Sequence, residues 1–282
     1  MSGLIYLIPA VLASAAVTLV LKAAGSSGNR YGELLGNYLT CLCLALVSAI
    51  RAGVMPEPVT VLCGLIGGVL FVAGLVMMQK SIEVNGASLT GAFSKLGLLV
   101  PLALSILVFH EKLTWLRFAG ILLSCAAMVL IHSRPDSGPS GKISTPLLMG
   151  ALLGCGSGDA MAKIFEETGS PSQAPAYFLI LFACASVITV VLGAMEQSRT
   201  KKPVTVKNLA SGILVGIPNF FSASLLLGAL NYLPALLVYP VCSAGSLVMI
   251  LLLSRLFFKE ELTRRAAAGI VMIIAALVLL NI

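Results

Sequence analysis

Ten apolar runs, at 4–21, 34–50, 59–78, 84–109, 115–131, 147–164, 174–195, 209–230, 233–258 and 266–280, succeed one another with short polar breaks between them. A helix that crosses a bilayer uses roughly 20 such residues, so ten spans account for the pattern with nothing left over. The pattern predicts an all-α integral membrane protein with ten transmembrane helices. Residues 1–6 hold no positive cluster, and the first run continues to Lys22 without an A-x-A-like site. It therefore reads as a mature helix rather than a signal peptide.

The longest polar break near the middle, HSRPDSGPSGKIST at 132–145, is rich in Gly, Pro and Ser and suits a linker. Its Ser-Gly-Lys has neither the preceding glycine nor the following Ser or Thr of a phosphate loop, so no nucleotide site is expected there. The linker, at 133–145, separates a first five-helix repeat at 1–132 from a second at 146–282. At an offset of 149, Glu111, Leu113, Thr114, Ala119 and Gly120 fall on Glu260, Leu262, Thr263, Ala268 and Gly269, so E-x-L-T-x5-G opens the last helix of each half. Near that offset Gly64-x-x-x-Gly68 falls on Gly212-x-x-x-Gly216, Lys22 on Lys163, and Ser94 on Ser243. Five is odd, so a second copy must start on the opposite side of the membrane, giving two inverted five-helix repeats. That architecture is typical of secondary transporters, which expose one site near the midplane alternately to either side.

Composition narrows the class. Of 282 residues, 59% are hydrophobic and 10% charged, which cannot cover a water-facing surface and excludes a soluble enzyme, a nucleic-acid reader or a secreted disulfide scaffold. The net charge of +7 comes from basic residues placed between apolar runs, where membrane proteins keep them, so no nucleic-acid partner is expected. Thirteen Lys and Arg fall in the loops of one side and four (Arg51, Lys112, Arg117, Lys163) on the other. The richer side should be cytoplasmic, with both termini outside. All seven cysteines lie in apolar runs without a C-x-x-C pair, and with two histidines no metal-ligand spacing exists. The cysteines read as small packing residues, and no metal or cofactor is expected.

The doubled E-x-L-T-x5-G, at the turn into helices five and ten of a duplicated ten-helix chain, resembles the EamA-type members of the drug/metabolite transporter superfamily. The resemblance implies a basket of ten helices around a central cavity, lined mostly by the first, third, fourth, sixth, eighth and ninth, and export or exchange of small metabolites. It also implies that Glu111 and Glu260 build the turn rather than bind substrate. A carboxylate just before a helix suits that role, because it can accept from free amides and is favoured by the helix dipole.

Charges inside spans are costly and mark function by default. Excluding span ends there are two, Lys95 in helix four and Asp159 in helix six. Lys95 reads as a group for substrate charge or as half of a structural salt bridge, with Asp159 as its natural partner. Asp159 reads as a proton carrier, or as the local partner of Lys163 four residues on. Gly156-Ser157-Gly158-Asp159 also spells the G-x-G-D of intramembrane aspartyl proteases, but no other span supplies the second Asp. Helix breakers at matching positions point to a transporter site. Gly91 aligns with Pro240 and Thr90 with Tyr239, which with Ser94 and Ser243 marks helices four and nine as paired walls; Pro218-Asn219 breaks helix eight. Tyr239 and Asn219 could equally serve interhelical hydrogen bonds. Phe220, Phe221 and Tyr239 are the one aromatic cluster expected near the midplane, too few rings to favour a choline-like cargo.

The expected activity is secondary active transport of a small metabolite, such as an amino acid or related organic anion, in a bacterial inner membrane. The partners expected are that substrate, the lipid bilayer and a coupling proton, with a monomer or homodimer as the assembly. Multidrug efflux of apolar cations is the alternative within transport, with Asp159 rather than Lys95 indispensable. A membrane-embedded lipid-modifying enzyme is the alternative outside it, and it lacks the clustered carboxylates or histidines such chemistry needs.

Overall fold

The computed structural model describes residues 2–24, 30–132, 143–200, 204–258 and 263–281, and every regular element among them is helical. In chain order these are α1 (Ser2–Ala24), α2 (Arg30–Ala52), α3 (Pro58–Asn85), α4 (Ala87–Leu96), α5 (Leu99–Leu107), α6 (Trp115–His132), α7 (Thr145–Thr168), a 3-10 turn (Pro171–Gln173), α8 (Ala174–Thr200), α9 (Val206–Leu230), α10 (Ala235–Phe258) and α11 (Arg264–Asn281). Among the described residues, eight stretches are long and apolar enough to cross a membrane. The other two of the ten runs are α6, a shorter apolar helix, and α11, whose first turn carries Arg264 and Arg265. Large apolar side chains such as Ile50, Leu107, Val187 and Val271 point outward from the fold, which only a lipid surround makes tolerable.

The run at 84–109 is not one helix. Gly86, at φ 82°, ends α3 in a turn that L side chains rarely adopt, and a second break separates α4 from α5. The linker residues 133–142 and the motif residue Glu260 lie outside the described residues.

Contacts divide the chain into two compact units, Met1–Val72 with Ile164–Asn231, and Ala73–Lys163 with Tyr232–Ile282. Each draws on both sequence halves, and the borders fall inside α3, inside α7 and in the turn between α9 and α10. In the first unit α2 packs on α9 and α8, and α1 on α9. Two of its crossings, α3 on α8 and α9 on α2, are made by the two G-x-x-x-G pairs. A Cβ added at Gly68 would come 2.7 Å from the Leu181 carbonyl oxygen, and one at Gly216 2.7 Å from that of Asn37. Gly64 and Gly212 meet the carbonyls of Tyr177 and Glu33 one turn away. Tyr177 and Leu181 stand 144 positions after Glu33 and Asn37, so both glycine pairs seat on α8 and α2 in the same register. Small residues let backbones approach this closely, which is how helices associate where lipid offers no hydrophobic drive.

The first unit also gathers the aromatics. Tyr38, Phe71, Phe182, Phe178, Tyr177 and Phe165 form a continuous chain of ring contacts with centroids 4.3–6.4 Å apart, and Phe220 branches onto Phe178 and Phe182. Phe220 and Phe221 therefore belong to a larger cluster than their sequence neighbourhood indicates, and Tyr239 lies in the other unit. These rings come from α2, α3, α7, α8 and α9, so no local window of sequence contains them. Most are buried with their faces and edges on one another, a packed core.

In the second unit α6 lies against α11. A Cβ on Gly120 would meet Leu280 and the Ala276 carbonyl; one on Gly269 would meet Ile131 and the Ala127 carbonyl. Both pairs of partners are separated by the same 149 positions as the glycines. The start of each helix touches the end of the other, so the pair is antiparallel and related to itself by a local two-fold axis.

Candidate functional site

The break after α4 follows from one missing amide. Pro101 has no N–H to offer the Gly97 carbonyl, which accepts instead from Val100 N at 2.9 Å. Gly97 N reaches back to Ser94 O at 3.1 Å and Leu98 N to Lys95 O at 3.4 Å, so the chain tightens to i→i+3 bonding for one turn. Lys95 stands in the last turn of α4, at the carbonyl end of a helix inside a span, where the dipole favours a cation. The backbone of α7 presses into the same break. A Cβ on Gly97 would lie 2.9 Å from Leu152 O, and one on Gly156 would collide with the Gly97 carbonyl.

One turn beyond Gly156, α7 carries Asp159, and α10 faces it with Tyr239 and Cys242. The Tyr239 hydroxyl donates to the Asp159 backbone carbonyl at 2.8 Å. Lys95 and Asp159 attract each other, and Cys155 and Cys242 lie within the field of both. Both charged side chains are half-buried, and among the described residues neither makes an ion pair or a side-chain hydrogen bond. The Ser94 hydroxyl is buried against the Cys155 thiol and has no other partner among the described residues. Ser243 is half-buried on α10, and its carbonyl accepts from the Ser246 hydroxyl at 3.0 Å. Among the described residues no group of three His, Cys, Asp or Glu could hold a metal ion.

Lys163 is not the partner of Asp159, although the two share a helical face. It is buried, with its ammonium 2.9 Å from Glu111 Oε1 and 5.7 Å from the centre of the Phe109 ring. Glu111 also accepts from Ala235 N and Leu236 N, both at 3.2 Å, and so closes the start of α10. The expected placement before its own helix gives way because residues 110–114 are not helical, which leaves Glu111 too early for α6. Thr114 caps α6 instead, accepting from Arg117 N at 3.3 Å, and Thr263 caps α11 in the same way through Ala266 N at 3.2 Å.

Thr90 and Asn219 make their hydrogen bonds with other residues. The Thr90 hydroxyl is fully buried against Ser81 Oγ at 2.9 Å, in a network in which Asn85 also holds the backbone N–H and carbonyl of Ser144 at the start of α7. Asn219, in the first unit, donates to Asn37 Oδ1 at 3.1 Å and lies 3.8 Å from the Cys41 sulfur. Asn219→Leu is expected to cost ~0.6 kcal/mol, the average worth of an interhelical hydrogen bond in a membrane, readable as a small drop in thermal unfolding temperature in detergent. Of the residues singled out by sequence, α4, α7 and α10 thus bring together Ser94, Lys95, Asp159 and Tyr239. Cys155 and Cys242, read as packing residues, belong with them; only their spacing of four and three residues from Asp159 and Tyr239 signals it.

Residues 143–282 match the family model described as the EamA-like transporter family. A curated protein of Haemophilus influenzae, described as uncharacterized, is 25% identical over 157 residues, which make up 55% of this chain and 52% of that protein. The chain therefore spans about half the length of the curated relative that it matches. A crystal structure of another protein superposes with a TM-score of 0.71 at 17% identity, over 99% of this chain and 96% of that one. At that identity the likeness is one of fold alone.

Proposed function

This chain belongs to the EamA-like transporter family, and from that premise we propose that it carries a small carboxylate-bearing metabolite, an amino acid or related organic anion, by alternating access. The observation that carries the reading is Lys95, a cation inside a span, at a helix break, with no carboxylate paired to it among the described residues. Broken helices and unpaired intramembrane charge are where transporters bind cargo. The same proposal takes the ten runs as ten spans in two inverted halves, 1–132 and 146–282, in a bacterial inner membrane with both termini outside. The equal registers of the glycine crossings and the antiparallel α6–α11 pair support that division. Asp159 is the acid that would couple transport to protons.

The test is uptake of a labelled metabolite panel into proteoliposomes, with and without a pH gradient. At least one carboxylate should move, and Lys95→Ala should weaken its binding roughly ten- to hundredfold, as expected for a charge-assisted hydrogen bond of ~1.5–3 kcal/mol. Unchanged kinetics in a folded Lys95→Ala, across every acid tested, would sink the assignment.

A further inference from the structure

Four charged side chains meet in the second unit, and two of them are spoken for. Lys163 and Glu111 neutralise each other at 2.9 Å. That engages the one cation on α7 within reach of Asp159, and the Tyr239 hydroxyl donates to the Asp159 backbone carbonyl. Lys95 and Asp159 are left in one electrostatic field without closing into an ion pair. Two opposite charges held apart in a low-dielectric interior forgo the attraction that would offset their desolvation. Such an arrangement is useful when a third party answers both. Ser94, next to Lys95, adds a buried hydroxyl with only a thiol beside it among the described residues.

We infer that Lys95 and Asp159 form a dipolar recognition site, in which Lys95 and the Ser94 hydroxyl receive the anionic end of a zwitterionic cargo and Asp159 receives its cationic end. The inference rests on the transporter reading above and narrows its cargo from carboxylates in general to zwitterions. Charge balance supports the narrowing. With Asp159 ionised, Lys95, Asp159, Lys163 and Glu111 sum to zero, and a zwitterion keeps that sum, whereas a simple carboxylate without an accompanying proton, or a simple amine, leaves one uncompensated charge inside the bundle. A site built to pair with an ammonium also rejects the analogue that lacks it, because its own carboxylate is then left unanswered.

Binding to the full-length protein in detergent, measured by calorimetry, tests this with matched triads. Each neutral amino acid in a panel is compared with its deaminated and its decarboxylated analogue. The wild type should bind at least one amino acid, with both analogues weaker by an order of magnitude or more. Asp159→Asn should abolish the preference for the amino acid over its deaminated analogue, lowering affinity for the first without weakening the second; Lys95→Gln should do the same for the decarboxylated analogue. Should Asp159→Asn fail to fold, Asp159→Glu keeps the preference for the zwitterion if the site is dipolar and loses it otherwise. A wild type that binds the deaminated analogue as tightly as the amino acid overturns the dipolar site and leaves carboxylate transport standing. So does an Asp159→Asn variant in which both ligands are weakened equally. Binding of no member of any triad, with no uptake of any acid, overturns both readings.

Discussion

Lys163→Met should destabilise the protein by ~3–5 kcal/mol, the cost of leaving one member of a buried ion pair without the other. Lys163 is 3% exposed and Glu111 14%, so water can do little for a stranded carboxylate. Glu111→Ala should cost as much or more, since it takes the carboxylate from the buried ammonium and also leaves the Ala235 and Leu236 amides at the start of α10 without their acceptor. Glu111→Gln should fall between, because the amide oxygen can still accept from the helix but cannot neutralise Lys163. Combining Glu111→Gln with Lys163→Met should recover most of the loss, and a double-mutant cycle on thermal unfolding in detergent reads the coupling. Single-variant losses near ~0.5 kcal/mol would mark the pair as a solvated surface contact instead. The consequence reaches the site. Glu111 anchors the first turn of α10 to α7, and Tyr239, one turn later, carries that anchoring to Asp159.

What the sequence made legible was whatever depends on residue type at a fixed spacing. Apolar runs of span length, a repeated E-x-L-T with its capping threonine, and two charges stranded in apolar surroundings are all local facts, and the structure places Thr114 and Thr263 as caps at equivalent positions. The choice of partners was not legible. Asp159 and Lys163 share a helical face, and nothing in the sequence says that a carboxylate 52 positions earlier, Glu111, takes the lysine away. Nor does composition show that rings spread from Tyr38 to Phe220 converge in one core, because their meeting depends on how five helices pack. The break after Lys95 was within reach, since Pro101 removes one amide four residues beyond Gly97; it was obscured by an apolar run that continues unbroken through it.

Gly68→Ala and Gly216→Ala should destabilise the protein by ~1–3 kcal/mol each, the range for forcing an extra methyl into a packed contact, and by amounts that agree within ~0.5 kcal/mol. The geometry is matched. The Gly68 Cβ would lie 2.7 Å from a carbonyl oxygen and 2.7 Å from the Cys184 Cβ; that of Gly216 would lie 2.7 Å from a carbonyl oxygen and 2.6 Å from the Thr40 Cβ. In neither case is the obstacle the far end of a flexible side chain, so the helices must separate rather than a rotamer turn. Gly150→Ala is the control, because the nearest atom to its Cβ is the Met77 sulfur at 3.5 Å. There the gain in helix propensity, ~1 kcal/mol, meets no clash, and stability should hold or rise. Thermal unfolding of the three variants in one detergent separates the possibilities. Equal losses at 68 and 216 with none at 150 mean that two helices in opposite halves of the sequence are held by the same contact in the same register. A loss at 68 alone would mean that the α9 crossing tolerates separation, and that its glycines align with those of α3 without sharing their work.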